Sequence, residues 1–389
     1  MAPSVVDTPQ PVAVEAGKSI KDAKSLATPS SSTHREPLKP SGALDQFDSF
    51  DVTPVIGREF KNVNLKKWLR APNSDELIRD LAITSKSSRT QLLKPRTKSV
   101  SQRGVVFFRA QDDLDNELQK ELAQRLGELS GKPSTSKLHI HPVANSGRQY
   151  GGKDDEISVI SSEQAKLAYS KRFLDQYKQS GRRQWHSDIT FEPIPSDYAI
   201  LRLTELPSSG GDTLWASGYE VYDRISEPYQ KFLESLTATY EQPGFGESAK
   251  ANGFELYAGE RGAPENVGAE LKAVHPVIRT NPVTGWKSVF AVGSHVGRVN
   301  DLTEAESDHL LKWFVTLIVE NHDLQVRYKW QNKNDLAIWD NRSVYHAATA
   351  DIEGLGARTG QRAVSLGERP YLDPNSTGRR AALASAQKE

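Results

Sequence analysis

Read by the spacing of its apolar positions, the chain sets short hydrophobic runs between long polar stretches. Its clearest periodicity is helical. Leu114, Leu118, Leu122, Leu126 and Leu129 recur at three- and four-residue intervals within residues 113–129, the stripe that an amphipathic helix lays against a core. A second helix is predicted to open at Thr303-Glu304-Ala305-Glu306, a capping box, and to run to about Glu320. Short runs at 103–109, 185–191, 198–204, 274–279, 287–292, 335–340 and 362–366 suit strands. The stretch 144–184 is polar and basic, with Arg148, Arg172, Arg182 and Arg183, and reads as a long loop carrying some helix. Internal repeats, regular βαβ alternation and a Gly-rich dinucleotide loop are all missing from the sequence. The class expected is therefore mixed α+β, mainly β: a β-sandwich or jelly roll braced by helices.

Composition adds boundaries. Residues 1–50 are rich in Pro, Ser, Ala, Lys and Asp and bury too little to order themselves, so a disordered tail is expected there. A single catalytic domain is expected over 51–375, and a flexible tail over 376–389. Among the 389 residues, 50 basic and 50 acidic side chains cancel, so nothing in the charge points to nucleic acid or an anionic membrane. The longest apolar runs fall short of the roughly 18 residues of a spanning helix, and the N-terminus lacks a basic start and apolar core. A cytoplasmic protein, open to forming a homo-oligomer, is the expectation. With no cysteine, disulfides and thiolate metal sites are excluded, and any metal must be held by His and carboxylate.

The candidate chemistry begins at Trp185-His186-Ser187-Asp188-Ile189-Thr190-Phe191. On a strand, His186 and Asp188 would face the same side. A third ligand is available far downstream, at His346 of Trp339-Asp340-Asn341-Arg342-Ser343-Val344-Tyr345-His346. Two imidazoles and one carboxylate on one face of a metal leave about three coordination positions open, as in mononuclear non-haem Fe(II) oxygenases.

The neighbouring motifs are more specific. Thr213 lies in Gly210-Gly211-Asp212-Thr213-Leu214, and Arg358 and Arg362 follow His346 in Arg358-Thr359-Gly360-Gln361-Arg362. With Leu138-His139-Ile140-His141-Pro142-Val143, these segments resemble the taurine/2-oxoglutarate dioxygenase family over about residues 54–371. The resemblance implies a double-stranded β-helix, a cupin-like jelly roll with a helical insertion between the strands of Thr213 and His346. It implies Fe(II) on His186, Asp188 and His346, with 2-oxoglutarate and O2 as cosubstrates. Arg358 matches the arginine that pairs with the far carboxylate of 2-oxoglutarate, a job suited to a guanidinium fork, and Thr213 matches its hydroxyl donor. The interval from His346 to Arg358 is one residue longer than the family's usual spacing, which an insertion around 353–356 would absorb. Residues 358 and 362 differ by an even number and can share a strand face.

Arg362 matches the arginine that grips a sulfonate in the sulfonate-oxidising members, on the side of the iron beyond the cosubstrate, and His141 matches a histidine of the same pocket. Other pocket positions depart from the pattern: Ala144 stands where a tyrosine is usual, Arg182 near an expected asparagine, and His295 near an expected aromatic. His139, His275, His309 and His322 are assigned to structure or surface. The partner expected is a small anionic organic molecule. An organic sulfonate would give aldehyde and sulfite, with succinate and CO2 as coproducts. Two alternatives stay open: the same chemistry on an amino acid, sulfate ester or specialised metabolite, and a cupin-like module that binds metal without turnover.

Overall fold

The computed structural model describes residues 35–83, 100–145, 152–168 and 179–388, which belong to one compact unit beginning at Arg35. Its first strands are β1 (Ser49–Asp51), β2 (Arg58–Phe60), β3 (Val105–Phe108), β4 (Ile157–Ser161), β5 (Ser196–Glu205) and β6 (Thr213–Ser217). Then come β7 (Thr237–Glu241), β8 (Lys272–Pro276), β9 (Ile278–Thr280), β10 (Lys287–Val289) and β11 (Val296–Val299). The last are β12 (Gln325–Tyr328), β13 (Leu336–Asp340), β14 (Val344–Ala348) and β15 (Thr359–Leu366). A seven-stranded sheet runs in the order β1-β2-β3-β13-β5-β15-β4, and a three-stranded sheet in the order β12-β6-β14.

Period-2 alternation explains how the large sheet is buried on both faces, and why β3 reads as an unbroken apolar run, Val-Val-Phe-Phe. Val106 and Phe108, with Ile200 and Ile338, pack under the helices Ser74–Ala82 and Asn116–Leu129 through Leu77, Leu81, Leu118, Leu122 and Leu126. Val105 and Phe107 turn the other way and join Leu201, Trp339 and Val364 against Trp215, Val326, Tyr328 and Val344 of the small sheet. Phe107 stacks on Tyr328 with centroids 4.1 Å apart. This second core is the floor of the site.

The expected strands at 198–204, 335–340 and 362–366 are found as β5, β13 and β15, and the capping box starts the helix Glu304–Val319 as expected. Other expectations need correction. Residues 185–191 are not a strand: only His186 pairs, in an isolated bridge, and a turn follows with Ile189 at φ +63°. Within 144–184, a strand, β4, precedes the helix Ser162–Ala168, while Arg148 and Arg172 lie outside the described residues. The insertion between β6 and β14 is not purely helical, since it also carries the sheet β11-β7-β8 and the hairpin β9-β10. Ordered segments reach into both of the expected tails, 1–50 and 376–389. Residues 1–34 lie outside the described residues, but Leu44 is buried in the first core and the carboxylate of Asp80 accepts from the backbone N–H groups of Ser41, Gly42 and Ala43. At the other end the helix Arg379–Ala386 is tied down by Arg379 and Arg380, both paired with buried Glu220. Among the described residues no helix is long and apolar enough to cross a membrane.

Candidate functional site

His186, Asp188 and His346 converge. One ligand atom from each lies within 4.8 Å of the others, and Asp188 Oδ1 is 3.9 Å from His186 Nε2 and 3.8 Å from His346 Nε2. Main-chain pairing brings them together, because His186 N–H donates to His346 O at 3.1 Å and His346 N–H donates to His186 O at 2.9 Å. The turn after the bridge aims Asp188. Its N–H donates to Asn341 Oδ1 at 3.0 Å, and Asn341 in turn donates to Ser196 Oγ and accepts from Trp339 Nε1. Ser187 Oγ donates to Val344 O at 2.7 Å. Gly293, at φ +102°, lies so close that a Cβ there would sit 2.2 Å from Trp185 O and 2.9 Å from His186 Cα.

The protonation states suit a cation. Gln184 O, 2.7 Å from His186 Nδ1, can only accept, so that nitrogen carries the proton and Nε2 keeps its lone pair toward the cluster. Burial, and then the neighbouring His186, push the His346 imidazole down to about 3, leaving it neutral. Burial alone would raise the Asp188 carboxyl, but the Arg362 charge and the surrounding imidazoles hold it well below the usual range. Asp188 Oδ2 and His346 Nδ1 are buried and have no hydrogen-bond partner among the described residues. An ionised carboxylate with an unpartnered oxygen beside two imidazole lone pairs fits a divalent metal.

Along the small sheet, Trp215 pairs with His346 and Thr213 with Ala348, so Thr213 lies about 7 Å along the strand from the ligand's level. Thr213 Oγ1 accepts from Trp330 Nε1 and from Arg358 Nη2, both at 3.1 Å. With two donors already accepted, its own proton is left to donate outward. Arg358 Nε donates to Gly211 O at 2.8 Å. Arg358 is only 7 % exposed, no ion pair ties it down among the described residues, and burial pushes its guanidinium down to about 10.

Arg362 is on the same inward face, and its partner within the chain is Asp188. Nη1 donates to Asp188 Oδ1 at 2.7 Å, so the guanidinium sits on the ligand carboxylate itself. His141 Nδ1 accepts from the N–H groups of Val143 and Ala144, and burial, then the Arg362 charge, push the ring down to about 3. His141 is thus neutral, with its proton on Nε2. An aromatic wall connects it to the cluster: His141 meets Phe245, Phe245 meets Phe191, Phe191 meets His295, and His295 meets His186, with centroids 5.1 to 5.7 Å apart. His295 is held by Thr190 Oγ1, 3.1 Å from its Nδ1. The other histidines singled out as structural include His275, whose Nε2 donates to the carbonyls of Thr190 and Glu192. Arg182 bonds Thr316 on the helix Glu304–Val319.

Sequence reasoning missed Asn341, Trp330 and Gly293. Asn341 stands inside a motif already singled out, and its place two residues after Trp339 was a usable signal. Trp330 and Gly293 act through contacts across the fold and leave no local trace.

Comparison with known proteins gives the family. The chain belongs to the taurine catabolism dioxygenase TauD, TfdA family, whose model matches residues 76–364. It is accordingly a 2-oxoglutarate-dependent dioxygenase, an oxidoreductase acting on a small molecule. It is 55 % identical over 361 residues to the alpha-ketoglutarate-dependent dioxygenase btcD of Neocamarosporium betae, covering 90 % of this chain and 98 % of that protein. It is 30 % identical over 324 residues to the alpha-ketoglutarate-dependent sulfonate dioxygenase of Saccharomyces cerevisiae, covering 83 % of this chain and 67 % of that one. In fold it is similar to the crystal structure of a taurine dioxygenase from Burkholderia xenovorans, with a TM-score of 0.58 at 23 % identity, covering 87 % and 98 % of the two chains.

Proposed function

We propose that the enzyme holds one Fe(II) through His186, Asp188 and His346, anchors 2-oxoglutarate on Arg358 and Thr213, and oxidises a C–H bond of a small anion. The observation that carries this is Arg358: a buried guanidinium with no ion pair among the described residues, Asp212 acting on it only at longer range while paired with Arg327, beside a hydroxyl free to donate, two strand positions from the level of His346. Burying such a charge unpaired is costly, so a carboxylate is the natural occupant. The two packed sheets around the second core support reading the fold as a cupin-like double-stranded β-helix.

Bound iron supplies the activation of O2, with one oxygen atom going to succinate as CO2 leaves and the other to the substrate. The chain's residues do the rest. The His186–His346 bridge fixes two ligands through the backbone, and Asn341 Oδ1 holds the third by accepting from the Asp188 N–H. Thr213 and Arg358 fix the cosubstrate's far end with charge-assisted hydrogen bonds. The wall Phe245–Phe191–His295 keeps water from one side, and His141 Nε2–H is a donor to an anion near Arg362.

An organic sulfonate is the leading substrate, because Arg362 and His141 supply a cation and a neutral donor in one neighbourhood. A second reading, an amino acid, sulfate ester or specialised metabolite, is favoured by the relative that is 55 % identical, whose name specifies no sulfonate, and by Ala144 and His295 at pocket positions. Succinate release from 2-oxoglutarate, measured across a panel of sulfonates, sulfate esters and amino acids with sulfite followed in parallel, separates the two. Sulfite release carries the first reading; succinate release coupled only to carboxylates replaces it with the second. A protein that turns over 2-oxoglutarate with none of the panel loses the small-anion reading.

A further inference from the structure

Arg362 does two things that compete. The carboxylate oxygen it grips, Asp188 Oδ1 at 2.7 Å, is the same oxygen that faces both imidazole Nε2 atoms at 3.8 and 3.9 Å. A divalent cation entering the cluster would meet a guanidinium already in contact with its only anionic ligand. Arg362 is not locked there by other bonds: its Nε is buried without a partner among the described residues, and its side chain retains 12 % exposure. Asp188 Oδ2 likewise has no partner. One charge-assisted hydrogen bond therefore holds the arginine at rest, and an arriving anion could share or take over its guanidinium.

We propose that Arg362 is a positioning residue that couples the substrate's charge to the metal: it is the resting counter-ion of Asp188, it weakens metal binding when no anion is present, and it releases that penalty when an anion engages it. Metal and anionic substrate then bind cooperatively, each strengthening the other by the same factor. This rests on the reading of His186, Asp188 and His346 as the metal site and of Arg362 as the anion contact.

The test uses the full chain, with Mn(II) as the metal probe, ethanesulfonate as the anion probe and no 2-oxoglutarate, and reads Mn(II) affinity by calorimetry or by the electron paramagnetic resonance of the free ion. In the unmodified protein, saturating ethanesulfonate should tighten Mn(II) several-fold. Arg362→Gln keeps a neutral donor of similar shape, and Arg362→Leu removes it. Both should bind Mn(II) roughly tenfold or more tightly without the anion, since like charges in contact at a partly buried site repel strongly, and both should lose the response to ethanesulfonate. Variants that bind Mn(II) no more tightly than the unmodified protein, or that keep its full anion response, overturn the coupling while leaving the metal site in place. His186→Ala separates the two levels: lost Mn(II) binding keeps the metal reading, and undiminished binding removes that reading and the coupling built on it.

Discussion

Replacing Arg358 with methionine separates what the arginine does for the fold from what it does for the cosubstrate. Burial lowers the guanidinium to about 10, a penalty of about 3 kcal/mol on the charged form at about 1.36 kcal/mol per unit. The side chain recovers part of this through its bonds to Gly211 O and Thr213 Oγ1, at 2.8 and 3.1 Å, together about 2 kcal/mol. Arg358→Met removes both the penalty and the bonds while keeping the aliphatic stem, so the ligand-free protein should change stability by no more than about 1–2 kcal/mol, on the same figures. Binding is another matter. Losing a buried charge-assisted pair costs roughly 2–5 kcal/mol, about 30-fold or more in affinity. A ligand at a hundred times its dissociation constant stabilises the folded state by about 2.7 kcal/mol, so thermal denaturation with and without 2-oxoglutarate, in the presence of Mn(II), reads both quantities. The unmodified protein should gain about 2.7 kcal/mol with 2-oxoglutarate and the variant less than about 1 kcal/mol. Undiminished protection of Arg358→Met would refute the anchor, and a ligand-free loss well above about 3 kcal/mol would make Arg358 a structural residue.

Three further outcomes are expected. His186→Ala should lose Fe(II) binding in an anaerobic titration with its circular dichroism unchanged, since the ring lies at the edge of the core with its side chain 28 % exposed. Gly293→Ala should weaken the same titration at least tenfold (~1.4 kcal/mol), because the new Cβ would meet Trp185 O and His186 Cα; unaltered metal affinity would show that the backbone yields there. The third concerns acid. Burial alone would raise the Asp340 carboxyl, but Arg342, with donors from Ser101 and Asn281, holds it below its usual range. A folded value below the unfolded one means that this stability is complete above the unfolded carboxylate range, near pH 4, and is lost as pH falls through the lowered folded value. Melting temperature followed downward from pH 6 should therefore decline, and Asp340→Asn should start lower and flatten that decline.

What was legible in the sequence was what is local. The helix beginning after Thr303 announces itself within four residues, and Leu118, Leu122 and Leu126 lie on one face of the helix Asn116–Leu129, with Leu114 buried just ahead of it. The conclusion that His186 and Asp188 share a side was right for a different reason than period-2 geometry: a bridge and a left-handed turn at Ile189 do what a strand was expected to do. That turn leaves no mark in Ile-Thr-Phe, three residues of high strand propensity. The ordered segment before residue 50 was illegible because its anchor is distant, with Ser41 held by Asp80, 39 positions on. Arg362 was placed on the correct face, yet its partner could not be read, since residues 188 and 362 lie 174 positions apart.

The backbone bridge between His186 and His346 has a consequence for synthesis. The two ligands are 160 positions apart. At roughly 5–20 residues per second, a ribosome making this chain works for many seconds after His186 and Asp188 have emerged and before their partner exists. During that interval the two are at most a weak bidentate site, and the clasp that sets their geometry is absent. Iron acquisition should therefore await the synthesis of β14: nascent chains halted before residue 346 should hold no more metal than an unrelated polypeptide, and chains released just beyond β15 should be the first able to retain it.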